Sequence, residues 1–166
     1  SIPSKYSTTL FEKSKISGFG STSTNPCGEI ILSPGDSCRL MLVNLTSFID
    51  EPWSNHAKFN REKYVSVVRK AQRLMDDMVD LEIEQVDKIL EKIESDPEPG
   101  DVKQAEKNLW TKIRRQAMAG RRTGLGVTAV GDAIAAMGEK YGSADSIKSV
   151  EKIYKTLTVN AYRTSC

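Results

Sequence analysis

The residues whose side chains could most readily take part in catalysis lie at alternate positions in the segment NPCGE. Asn25, Cys27 and Glu29 are each separated by one residue. In an extended chain, positions i, i+2 and i+4 point to the same side, so the three side chains would face one substrate. Pro26 and Gly28 between them permit an unusual backbone path. A thiol that attacks, a carboxylate that accepts a proton and an amide that orients a hydroxyl group form a coherent catalytic site.

The same residues also have a purely structural interpretation. Cys27 would then be a small buried side chain and Glu29 a solvated carboxylate, and spacing alone leaves both interpretations open. A zinc site is disfavoured, because the chain has only Cys27, Cys38, Cys166 and His56 as soft ligands and no C-x-x-C pair. A cysteine protease is also disfavoured, since His56, the one candidate base, lies in a segment typical of a surface loop.

Turn residues and hydrophobic periodicity predict the elements that position these residues. Residues 29–32 form a short apolar run, SPGDS at 33–37 has turn chemistry, and residues 38–45 form a second apolar run. The two runs predict short strands. The stretch from Cys27 to Cys38 is therefore predicted to form a compact loop or hairpin that brings both thiols close together.

The rest of the chain is predicted to be mainly helical. Apolar residues at helical spacing predict a helix over residues 60–95. Because this helix would be long for a globular protein, a break near Asp80 is the alternative. Further helices are predicted over 103–119, 128–138 and 144–165.

Two other patterns are given structural interpretations. GLGVTAVG at 124–131 invites comparison with dinucleotide-binding loops, but a basic helix rather than a strand is predicted before it. We interpret its glycines as permitting a turn and close packing at the start of a helix. A basic cluster could meet phosphate, but the favoured interpretation is a solvated face or ion pairing with the acidic helix for Arg114, Arg115, Arg121 and Arg122.

The amino-acid composition limits the classes of protein to which the chain can belong. The chain has 166 residues, 39% hydrophobic and 28% charged, which is typical of one globular domain. Its net charge of +2 is too small to indicate a nucleic-acid or membrane partner, and no apolar run reaches the roughly 18 residues of a membrane span. Three cysteines without a disulfide framework favour a reducing, cytoplasmic location. The absent initiator methionine and an amphipathic helix that ends uncapped at Cys166 predict a piece of a longer polypeptide.

NPCGE, followed by a second cysteine and then NL, resembles the catalytic chain of ribonucleotide reductases. RRTGLGVTAVGDAIAAMG at 121–138 and the terminal NAYRTSC resemble later segments of the same family, in the expected order. The resemblance implies an α/β fold, the ten-stranded barrel of that family, of which residues 1–166 would be a mainly helical part. It implies an active-site finger loop and adjoining strand at about 23–45 and a helical part at about 60–165, with both ends of the full chain missing.

The resemblance also implies a role for each residue of the motif. Cys27 matches the cysteine that becomes a thiyl radical and abstracts the 3′ hydrogen of the ribose. Glu29 matches the carboxylate that deprotonates the 3′ hydroxyl, and Asn25 the amide that binds the substrate and orients that carboxylate. Cys38 matches one half of the redox pair that supplies electrons as the 2′ hydroxyl leaves as water. The substrate-binding segment would be Asn25, Pro26, Cys27, Gly28 and Glu29.

The implied partners follow from the same family. The short spacing between Cys27 and Cys38 resembles that of the adenosylcobalamin-dependent enzymes; the alternative radical source is a metal-bearing small subunit. The substrate would be a ribonucleoside di- or triphosphate and the reductant a thioredoxin- or glutaredoxin-like dithiol. The remaining parts of the same catalytic chain would be needed as well, and a homodimer is a further expected assembly.

Three departures from the family pattern qualify this expectation. No cysteine precedes Cys27 to serve as the partner of Cys38, and the later phosphate-binding loop and the C-terminal shuttle cysteines are absent. Cys166 is interpreted as a packing residue within a helix. We therefore expect a ribonucleoside-diphosphate reductase whose catalytic chain is incomplete here and inactive in isolation. The alternative function is a non-catalytic helical interaction module with structural cysteines.

Overall fold

The computed structural model describes residues 23–25 and 30–166. The sequence-based predictions for Pro26, Cys27, Gly28 and Glu29 therefore lie outside the described residues. The strands are β1 (Ser23–Asn25), β2 (Ile30–Leu32), β3 (Arg39–Asn44), β4 (Ile49–Asp50), β5 (Lys58–Phe59) and β6 (Thr123–Thr128). The helices are α1 (Arg61–Ser95), α2 (Gly100–Gly120), α3 (Val130–Ala136) and α4 (Ala144–Ser165), with a 3-10 turn at Leu45–Phe48.

The chain divides into two compact units. The first unit comprises Ser1–Cys38 and Val79–Arg122, and the second comprises Arg39–Met78 and Thr123–Cys166. The four predicted helices are confirmed with shifts of a few residues at their ends. None of the helices in the described part of the chain is long and apolar enough to cross a membrane.

Helix α1 is continuous over 35 residues, so the optional break near Asp80 does not occur. Its buried positions recur every three, four or seven residues, which explains why one amphipathic pattern sustains so long a helix. They are Tyr64, Val68, Ala71, Met75, Val79, Val86 and Ile93. Three other apolar residues of the predicted stripe, Leu74, Met78 and Leu81, are exposed.

The first unit is built around an antiparallel helical hairpin. Acidic residues spaced seven apart on α1 form ion pairs with basic residues spaced seven apart on α2 and just beyond its end. The pairs are Glu94 with Lys107, Asp87 with Arg114, and Asp80 with Arg121. The equal spacing means that the two helices keep one register along the hairpin. The Arg114 guanidinium, by its hydrogen bond, lowers the pKa of the Asp87 carboxyl group. These exposed pairs contribute little stability individually, but they specify the register of the two helices.

The second unit contains a two-stranded parallel sheet. The apolar run at 38–45 is confirmed as β3, and its partner is β6, with Leu40 opposite Gly124 and Val43 opposite Val127. The prediction that the glycines of GLGV form a turn at a helix start is wrong, because Gly124 and Gly126 lie inside β6. The reason is a close approach between strands: a Cβ at Gly126 would lie 2.9 Å from Cδ2 of Leu42.

The core of the second unit gathers residues from β3, the 3-10 turn, and helices α1, α3 and α4. Its buried members are Val43, Leu45, Phe48, Ile49, Tyr64, Val68, Ala71, Ala133, Ala136, Ile153 and Leu157. The aromatic rings form its centre: Tyr64 lies 5.1 Å from both Phe48 and Phe59, ring centroid to ring centroid, in edge-to-face geometry. Such pairs add to the stabilisation from burial alone.

Replacing Tyr64 with phenylalanine is expected to remove the free-energy cost of burying an unpaired hydroxyl group in the core. The Tyr64 hydroxyl is buried and has no hydrogen-bond partner among the described residues. Burial, assisted by Tyr154, raises the pKa of Tyr64 from 10.0 to about 12. The folded state therefore keeps a proton that the unfolded chain loses, and the free energy of unfolding falls as the pH rises from 10 to 12. Below that window, Tyr64→Phe should be neutral or stabilising by up to about 1 kcal/mol.

Urea unfolding of both proteins at about pH 8 and about pH 11 measures this effect. The alkaline loss of stability should be smaller in Tyr64→Phe than in the natural sequence. The matched control is Tyr141→Phe, since the Tyr141 side chain is 75% exposed and its hydroxyl should leave the profile unchanged. A Tyr64→Phe variant with an unaltered alkaline loss would contradict the assignment.

Candidate functional site

Two antiparallel strands, β1 and β2, lie before and after residues 26–29 in the chain, and Asn25 is the last residue of β1. In β1 and β2, Asn25 lies opposite Ile30 and Ser23 opposite Leu32. The predicted strand at 29–32 is thus confirmed in its position, but its partner is β1 and not the apolar run that became β3. Of the two predicted alternatives, the hairpin between the runs is wrong because β3 pairs with β6 instead. The compact loop that brings the two thiols together stays a prediction, since Cys27 lies outside the described residues. Of the three motif residues, only the backbone of Asn25 falls within the described part of the chain.

The turn after β2 is confirmed at SPGDS. The amide of Asp36 donates to the carbonyl oxygen of Ser33 at 3.0 Å. Gly35 has a φ of 83°, in the left-handed region that favours glycine. The chain passes close to α2 here, since a Cβ at Gly35 would lie 3.6 Å from the Cγ of Lys112. The turn thus fixes the direction in which the chain leaves β2 toward Cys38.

A buried ion pair holds this turn in place. The Asp36 side chain has no exposed surface and is ion-paired with Arg122, at the end of the α2 segment. Oδ1 of Asp36 also accepts a hydrogen bond from the amide of Ser37 at 2.9 Å. The Ser37 hydroxyl donates in turn to Glu82 of α1 at 3.2 Å. A buried carboxylate needs such compensation, so these contacts restrain the residues that immediately precede Cys38.

Cys38 is a half-buried thiol directly after this restrained turn and directly before β3. Cys166 is the cap residue of α4 and is exposed in the described part of the chain. Within that part, its exposure contradicts the interpretation of Cys166 as a packing residue inside a helix. Of these two thiols, Cys38 is the one that the described residues partly cover.

Most of the arginine cluster forms ion pairs. Arg114 and Arg121 pair with Asp87 and Asp80 of the acidic helix, as predicted, and Arg122 pairs with Asp36 of the turn instead. Arg115 is exposed, which fits the solvated face. Sequence reasoning missed that Asp36 and Arg122 belong to one arrangement beside Cys38. The available signals were an acidic residue in a turn and a basic residue before a glycine-rich strand. Their pairing across 86 positions cannot be read from local patterns.

The described residues offer no site that fits a metal or a cobalamin. No three histidine, cysteine, aspartate or glutamate side chains converge in that part of the chain, and His56 is exposed. Three cavities lined by described residues have volumes of about 300 to 380 Å³, too small to enclose a corrinoid. No residue is therefore assigned to cobalamin, and no chemical step is derived through it.

The sequence matches the family model for the ribonucleotide reductase barrel domain over residues 14–166. The chain belongs to this family. A vitamin B12-dependent ribonucleoside-diphosphate reductase of Mycobacterium tuberculosis (strain ATCC 25618 / H37Rv) is 25% identical over 142 residues, which cover 86% of this chain and 16% of the relative. A relative of the same description from Thermoplasma acidophilum is 25% identical over 143 residues, covering 86% of this chain and 15% of its own length.

These matches show how much of a reductase chain the sequence covers. The chain spans about 16% of the length of the curated relatives it matches. Membership of the barrel family, together with the mainly helical structure, confirms the coarse fold prediction: a mainly helical part of the reductase barrel. The finger loop and the radical cysteine stay predictions, because Pro26, Cys27, Gly28 and Glu29 lie outside the described residues.

Proposed function

We propose that the protein to which this chain belongs reduces ribonucleotides to 2′-deoxyribonucleotides by a thiyl-radical mechanism and so supplies DNA precursors. The observation that carries the proposal is the family match over residues 14–166, which includes NPCGE and the second cysteine. Two relatives at 25% identity are ribonucleoside-diphosphate reductases by name. A diphosphate is accordingly the first substrate to test, with the triphosphate second.

The motif residues divide the chemistry among them. The sulfur radical of Cys27 takes the hydrogen atom from C3′, and Glu29 accepts the proton of the 3′ hydroxyl group. Asn25 hydrogen-bonds the substrate and orients Glu29. The 2′ hydroxyl leaves as water while two thiols supply two electrons and two protons and become a disulfide. Glu29 then returns its proton to the 3′ oxygen and Cys27 returns a hydrogen atom to C3′, so that both residues are ready for another cycle.

Cys38 is proposed as one of those two thiols. Its support is structural: the thiol is half-buried and is preceded by a turn that Asp36, Arg122 and Glu82 restrain. The sequence has no cysteine before Cys27, so the second thiol is proposed to come from another part of the parent protein. A thioredoxin- or glutaredoxin-like dithiol would reduce the disulfide after each turnover.

Adenosylcobalamin is the proposed radical source, and a metal-bearing small subunit is the alternative. The names of the relatives and the 11-residue spacing between Cys27 and Cys38 favour cobalamin. Either source, when bound, would supply the radical that removes the hydrogen atom from the Cys27 thiol. The residues that hold it are proposed to lie elsewhere in the parent protein, as the cavities described above do not fit it.

The complete protein should convert a ribonucleoside diphosphate to its deoxy form with a dithiol reductant, and only when adenosylcobalamin is added. Product analysis with and without the cofactor measures this. Activity that instead requires a second, metal-bearing subunit would keep the reaction and replace the radical source. A folded, complete protein that forms no deoxynucleotide under either condition would favour the non-catalytic interaction module.

A further inference from the structure

A cavity of about 300 Å³ in the second unit is lined by three cationic side chains from three different elements. Lys58 lies in β5, Arg61 is the first residue of α1, and Lys152 lies on α4. None of the three side chains has a hydrogen bond or an ion pair with any described residue. The lining therefore carries three cations against one carboxylate, that of Glu139.

The position of Arg61 increases this positive charge. The amino-terminal end of a long helix carries a partial positive charge, which disfavours a cation there and favours an anion. Glu62 lies in the same first turn but does not line the cavity. Three like charges facing one cavity at a helix start repel one another, and a bound anion would relieve that repulsion.

The acidic side chain of the lining, that of Glu139, is hydrogen-bonded through one of its two oxygens, and the other has no partner among the described residues. Oε1 of Glu139 accepts a hydrogen bond from the Ser149 hydroxyl at 2.7 Å. Oε2 of Glu139 is buried, so it presents no surface to the open cavity. The accessible polar ends in this cavity are consequently dominated by the two lysines and the arginine.

The lining of the cavity also includes apolar side chains. Phe59, Met137 and Ile153 are three of them, and Ile153 is part of the buried core. A bare inorganic anion would leave this surface in contact with water, whereas an organic group would cover it. A volume of about 300 Å³ lies at the lower end for small-molecule sites and suits a compact ligand.

We propose that this cavity is a binding site for a small organic phosphomonoester. The phosphate, with a charge of about −1.5 to −2, would meet Lys58, Arg61 and Lys152, and its organic group would lie against Phe59, Met137 and Ile153. This proposal does not depend on the reaction proposed for Cys27 and Cys38.

Titration of the protein with phenyl phosphate tests the site, with line broadening of the ligand phosphorus NMR signal as the measurement. We expect saturable binding that is at least about fivefold tighter than that of inorganic phosphate, because only phenyl phosphate covers the apolar side chains. Lys152→Met should weaken phenyl phosphate binding about three- to tenfold. Lys155→Met is the matched control: it is exposed on the same helix, does not line the cavity and should leave binding unchanged.

Both lysines are exposed, so neither substitution should lower the melting temperature, and a change in binding reports on the site itself. The proposal is overturned if phenyl phosphate does not bind saturably, if inorganic phosphate binds equally well, or if Lys155→Met weakens binding as much as Lys152→Met. Any of these results would leave the proposed reduction of ribonucleotides untouched, because phenyl phosphate is not a ribonucleotide and both variants leave the cysteines in place.

Discussion

Replacing Cys27 with alanine in the complete protein is expected to lower ribonucleotide turnover by more than about a thousandfold without unfolding the protein. The reason is chemical: under the proposed mechanism the Cys27 sulfur is the atom that removes hydrogen from C3′, and a methyl group cannot carry a thiyl radical. Deoxynucleotide formation with a dithiol reductant measures the loss, and circular dichroism checks that the variant is folded. Retained turnover would refute the radical assignment.

The other two cysteines make this experiment specific. Cys166→Ala should keep full activity, because no step of the proposed mechanism uses Cys166. Cys38→Ala should also lose deoxynucleotide formation, but it should still release label from substrate carrying tritium at C3′, since hydrogen abstraction precedes reduction. Cys27→Ala should release none. Equal release from the two variants would show that the roles of Cys27 and Cys38 are not divided in this way.

Replacing Arg122 with methionine is expected to lower the free energy of unfolding by about 3–5 kcal/mol. Arg122 compensates the Asp36 carboxylate, whose side chain has no exposed surface. Removing the cation leaves a buried negative charge that still accepts a hydrogen bond from the Ser37 amide, at 2.9 Å. Urea unfolding measures the loss. The half-buried Cys38 thiol should also react faster with a disulfide reagent, since the preceding turn is then less restrained.

The neighbouring arginine supplies a matched control. Arg121 pairs with Asp80, but the two side chains are 41% and 56% exposed, so solvent screens the interaction. Arg121→Met should therefore cost less than about 1 kcal/mol. Adding Asp36→Asn to Arg122→Met should recover part of the lost stability, because the double variant no longer buries an unpaired charge. Equal losses for the two single arginine variants would show that burial of Asp36 is not what matters.

The sequence by itself determined those features that depend on local chemistry. The periodicity of α1 predicted a helix over 60–95, and the structure has it at Arg61–Ser95, because an amphipathic stripe at helical spacing needs no knowledge of its partner. The turn at SPGDS followed from proline, glycine and aspartate in succession. The family followed from NPCGE and the later segments, and the match over residues 14–166 confirmed it.

Only the tertiary structure decided which elements meet. β3 was expected to pair with the apolar run before it, yet it pairs with β6, and the glycines of β6 serve close strand contact rather than a turn. Short apolar segments carry no local signal that identifies their partner strand, so pairing is set by the whole core. The same holds for Asp36 and Arg122: a turn residue and a basic residue became one buried ion pair because folding brought them together across 86 positions.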